Sequence, residues 1–102
     1  MGIDVDNLLP IQRFAAAANQ TFDVSLGEAG VTMTLVEVKP LPPHPHPGML
    51  REPFSLLFRC ESPVILPQRA YRMKNATVGA HDIFLVPIAR EAQGVVYQAV
   101  FN

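Results

Sequence analysis

At 102 residues, with 49% hydrophobic and 17% charged side chains and a formal net charge of −1, the chain has the size and apolar content of a single self-supporting core. That balance excludes a disordered acidic or basic tail, and a pI near 6.2 supplies no broad positive field for nucleic-acid phosphates. Cys60 is the lone cysteine, which excludes an intramolecular disulfide framework and a cysteine-based zinc finger.

The first stretch, MGIDVDNLLP, is acidic where a secretion signal is basic and has no long apolar run, so residence in the cytoplasm is the expectation. Asp6 stands where an acylation motif starting at Gly2 asks for Ser or Thr. The longest apolar run, IFLVPIA at 83–89, is too short to span a bilayer, so no membrane partner is expected.

Behind Asp6, a candidate N-cap, Ile11, Phe14, Ala15 and Ala18 recur at helical spacing, which predicts one helix over 7–19 with those residues on one face. Pro10 fits only its first turn, and Asn19 can take the left-handed conformation that ends it. From TFDVSL the period becomes two. Phe22, Val24 and Leu26 are predicted inward, and GEAG at 27–30 is a turn. In VTMTLVEV the inward parity passes from Val31, Met33 and Leu35 to Val36 and Val38, which predicts a β-bulge near Leu35.

LPPHPHPGML, 41–50, lies in a stretch whose prolines each remove a backbone donor and fix φ, so it reads as a stiff exposed connector. Beyond it FSLLFRC places Phe54, Leu56, Phe58 and Cys60 inward, and AYRMK places Tyr71 and Met73 inward. HDIFLVPI is a further strand, and GVVYQAVF ends the chain with Val95, Tyr97, Ala99 and Phe101 on one face. Phe58 and Phe84 are both expected to be core rings. Without a repeat or a linker, residues 1–102 make one mostly β domain: a small antiparallel β-barrel or sandwich of about six strands with one N-terminal α-helix.

The segments REPFSLLFRC, LPQRAYRM, FLVPIAR and YQAVFN, in that order, resemble a family of small bacterial proteins of about 100 residues catalogued as a domain of unknown function. The resemblance runs over nearly the whole chain. It implies a place beside genes for phage-tail-collar-like, or microcystin-dependent-type, proteins. No site residues come with it, and the Pro-His loop looks like an insert between the family's motifs.

Few residues suggest chemistry. His44, His46 and His81 are the candidates for a metal, three imidazoles being enough for zinc or copper, yet His-Pro-His tends to an extended conformation and no spacing brings His81 near it. The expectation is therefore no metal and no cofactor. Cys60 falls at an inward position of an apolar strand, where a thiol is inert packing. Ser55 or Ser62 with His81 and Asp82 makes no triad, because neighbours on a strand point to opposite faces and no G-x-S-x-G elbow is present. Arg59, Arg69, Arg72 and Lys74 surround Tyr71, but its parity with Met73 turns that ring inward, so no nucleic-acid partner is expected. What remains is a non-enzymatic structural or protein-interaction module, accessory to a phage-tail-like assembly. The expected partner is a tail-collar-like protein or a second copy of the chain. The rival is a small-ligand or metal-binding β-barrel. Val96 and Val100, on the outer face of the terminal strand, are the candidate interface residues, on the premise that this strand forms a sheet edge.

Overall fold

The computed structural model describes residues 10–42 and 52–102. A short helix, α1 (Ile11–Ala15), precedes six strands: β1 (Thr21–Leu26), β2 (Ala29–Pro40), β3 (Phe54–Cys60), β4 (Arg69–Asn75), β5 (Gly79–Glu91) and β6 (Gly94–Phe101). All neighbours are antiparallel, and the order β1-β2-β3-β6-β5-β4 closes on itself. The architecture is thus a barrel rather than a sandwich. Each strand follows its period of two. Phe22, Val24, Met33, Leu35, Leu56, Phe58, Met73, Leu85, Tyr97 and Ala99 are all at most 2% exposed and fill the interior.

The terminal strand is not an edge. β6 pairs with β3 from Phe101 back to Val95 and with β5 between Gln98 and Gly94, so it is the stave that closes the barrel. Barrels remove edges by this closure. The bulge expected near Leu35 lies between Leu35 and Glu37. At that point the backbone of Leu35 bonds the helix exit, its carbonyl accepting from Asn19 N–H at 2.7 Å and its N–H donating to Gln20 O at 3.0 Å. Asn19 has φ +68°, the left-handed turn expected of it.

The helix departs from expectation. The described helix begins behind Pro10 and stops at Ala15, four residues short of the expected end; Asp6, the expected N-cap, and residues 7–9 of the expected span lie outside the described residues. Past Phe14 the bonds tighten to i+3 spacing, Ala17 N–H to Phe14 O and Ala18 N–H to Ala15 O. This rotates Ala17 into the core, while Ala15 and Ala18 are exposed. Phe14 covers one mouth of the barrel, 5.8 Å from the Phe54 ring and 5.3 Å from that of Phe101.

The other mouth is closed for a topological reason. β3 and β4 follow each other in the chain but are separated in the barrel by β6 and β5, so residues 61–68 must cross the open end. Two inward tyrosines hold the crossing. Tyr97 accepts the Leu66 N–H at 3.0 Å and directs its hydroxyl at Val64 O, and Tyr71 donates to Pro67 O.

Phe84 is a correction. Its ring is 52% exposed, because Ile83 and Leu85 take the inward positions of β5. The turn between β4 and β5 is organised by Asn75, whose side-chain oxygen accepts from Thr77 N–H at 2.8 Å and Val78 N–H at 2.9 Å. Its amide donates to Thr21 O at 3.0 Å and Gln20 Oε1 at 3.1 Å, tying β4 to β1 where backbone pairing is short. Asn75→Ala leaves the Val78 N–H without its partner and is expected to cost about 1–3 kcal/mol, read as a lower urea midpoint at unchanged slope.

Candidate functional site

Of the expected metal ligands, His44 and His46 lie outside the described residues. His81 stands at the helix-capped mouth, half-buried, with Nε2 2.9 Å from Val78 O. The same carbonyl accepts from Arg13 Nη2 at 3.1 Å. Two donors on one oxygen join α1, the β4–β5 turn and β5, so His81 serves as a structural donor there. Among the described residues no group of three His, Cys, Asp or Glu side chains is placed to hold a metal ion. No helix of the described residues is long and apolar enough to cross a membrane.

Asp82, next to His81, points outward and pairs with Arg72 at 3.1 Å. Arg59 pairs with Glu91 at 3.3 Å. The Arg69 guanidinium lies 4.9 Å from the centre of the Tyr71 ring, and that ring is itself 3% exposed. Cys60 is buried at the inward position expected. Burial raises the Tyr97 hydroxyl above the ordinary tyrosine pKa, the Leu66 N–H opposing this in part; such a group stays protonated as a hydrogen-bonding anchor.

The outer surface divides in two. β1, β2 and β4 present Thr21, Asp23, Ser25, Thr32, Arg72 and Lys74, a polar wall with shallow grooves beside Asp23 and Lys74. β3, β6 and β5 present a different wall. There Leu57 and Val86 flank Gln98 in one row of the sheet, Val100 lies two residues beyond Gln98, and Phe84 two residues before Val86. Phe84, Ile88 and Val100 are 52%, 48% and 49% exposed. A bulge between Pro87 and Ala89 frees Ile88 from the ladder. Single exposed apolar residues are ordinary, but three on one wall, with Leu57 and Val86 half-buried among them, form a patch. Val100, expected at an interface, belongs to this patch. Val96 stands on the same wall but is 5% exposed, so only Val100 of the pair can meet another molecule without repacking.

Sequence reasoning overlooked Phe84 and Ile88 in this patch, although a signal was available. Asp82 requires solvent, and on a strand that places Phe84, two residues on, on the same outward face. The Ile88 bulge left no such trace, because VPIA reads equally well in either register.

A family model described as "Domain of unknown function (DUF6916)" matches residues 9–101. No curated protein and no solved structure matches the chain.

Proposed function

The chain belongs to the DUF6916 family, a domain of unknown function, and from its outer wall we propose that it is a non-enzymatic structural module that works by protein contact. The observation that carries this reading is the apolar patch of Phe84, Ile88 and Val100 on β5 and β6, opposite a polar wall. A contact core of this kind is apolar and depleted in charge, with charged groups kept to its rim. The paired Arg72–Asp82 and Arg59–Glu91 meet that description. A rigid barrel suits the role because little ordering entropy is lost when a preformed wall docks.

The setting we propose is an accessory place in a phage-tail-like assembly, with a tail-collar-like protein as partner; the resemblance noted in the sequence supports it. The test is biolayer interferometry between the purified domain and the tail-collar-like protein of the same genome. Binding is expected, and Phe84→Lys combined with Val100→Lys should weaken it by at least about tenfold, since charge is placed in the contact core. Binding unaffected by the double substitution, in a variant that melts normally, rules out this wall.

A further inference from the structure

We propose that residues 61–68, which cross the mouth opposite α1, are a lid: they swing off that mouth as one unit while every seam of the barrel stays closed. Among the described residues, no backbone–backbone hydrogen bond reaches any part of this strap. Two phenol groups hold it instead. Tyr97 accepts from Leu66 N–H at 3.0 Å and donates toward Val64 O at 3.5 Å, and Tyr71 donates to Pro67 O. Both tyrosines are inward residues at most 3% exposed, so the latch is fixed on the barrel and the part free to move is the strap.

The sequence makes the strap a piece that moves whole. Pro63 and Pro67 fix φ on either side of Val64, Ile65 and Leu66 and stiffen the middle. Rotation is left to Ser62 on one side and Gln68 on the other. The first pivot has a firm footing, because Glu61 lies against the backbone of Gly94, where a Cβ would come within 2.9 Å of the Glu61 Cα. Leu66 packs against the core, whereas Val64 and Ile65 are 65% and 51% exposed.

Lifting the strap therefore transfers three hydrogen bonds from two hydroxyls to water, a small net loss each, and uncovers one leucine that is already partly exposed. Opening a seam would break ladder bonds and expose several core side chains, so the strap can open locally well before the barrel does. The α1 mouth is tied differently. Backbone bonds between Asn19, Gln20 and Leu35 fasten the helix exit to β2, and Arg13 and His81 both bond Val78 O. Motion is thus assigned to the strap end, where an open lid bares an apolar rim with two phenol hydroxyls rather than the packed interior beneath.

Native-state amide exchange in increasing urea is the test. The Leu66 N–H should exchange more freely than the ladder amides of β3 and β6 and nearly independently of urea, because lifting the strap exposes little surface. Tyr71→Phe removes the bond to Pro67 but leaves the one between Tyr97 and Leu66, so it reads whether the strap moves as one piece. Leu66 exchange should then rise at least about fivefold. Asn75→Ala, at the other mouth, should leave it unchanged. Leu66 exchange with the urea dependence of the ladder amides overturns the inference in the parent protein alone, since the strap would then leave only on global unfolding. A folded Tyr71→Phe variant with unchanged Leu66 exchange also overturns it, as does an equal rise in Asn75→Ala, which would assign the opening to the β1–β4 seam.

Discussion

Replacing Phe58 by alanine is expected to lower stability by about 3–5 kcal/mol, the range for deleting a buried ring from a packed interior. Phe58 is 0% exposed and meets Phe22 edge to face, with ring centroids 5.1 Å apart. Its strand lies between β2 and β6, opposite Leu35 on one side and Tyr97 on the other, so the neighbours are fixed in two ladders and cannot easily collapse into the space. The loss therefore combines the transfer term and a cavity term. Chemical denaturation checks it, and the contrast with Phe84→Ala sharpens the result. That half-exposed ring should change stability by no more than about 1 kcal/mol. Equal losses at both positions would mean that β5 sits in the other register.

Gly94→Ala should be comparably damaging, through crowding rather than a void. A Cβ at residue 94 would lie 1.9 Å from the carbonyl oxygen of Cys60 and 2.8 Å from its carbon, both backbone atoms. The residue also has φ +132°, a conformation that side chains seldom adopt. Backbone strain of about 1–3 kcal/mol is then joined by displacement of β3 from β6, for a total of about 3 kcal/mol or more. The thermal midpoint is the measurement. A variant that melts with the parent would show that β6 enters the barrel by another path. Because Gly94 both ends the β5–β6 turn and starts the stave between β5 and β3, the damage should spread to both seams.

The strands were legible because alternation is a local property. Phe22 and Val24 against Asp23 and Ser25, or Tyr71 and Met73 against Arg72 and Lys74, state their faces without help from the rest of the fold. The bulge was legible for the same reason, as a change of parity at Leu35. The helix was less so. A run of four alanines carries no preferred face, and the tight turn that buries Ala17 depends on bonds to the distant Leu35. Phe84 was misread because Ile83, Phe84 and Leu85 are apolar in succession, and the face is decided by Asp82 upstream. Closure of the barrel could not be read locally at all, since it consists of pairings such as Phe54 with Phe101. The candidate wall was half visible: Val100 emerged from the pattern of its strand, whereas Ile88 owes its exposure to a bulge that no residue type marks.

The join between β1 and β4 rests on two residue pairs, Asp23 with Lys74 and Val24 with Met73, whereas β3 and β6 share a ladder from Phe54 to Cys60. The barrel is therefore hinged firmly on one side and buttoned lightly on the other. Thermal breathing will follow the lightly buttoned line, because fewer backbone bonds must break there for the interior to admit water. Asn75 is the button. Its amide donates two hydrogen bonds across to Thr21 O and Gln20 Oε1 just where the ladder gives out, while its oxygen accepts two more that fix the turn after β4. The rate at which the interior opens is thus set on the polar side of the molecule, leaving the apolar wall on the hinge side rigid while the opposite seam fluctuates.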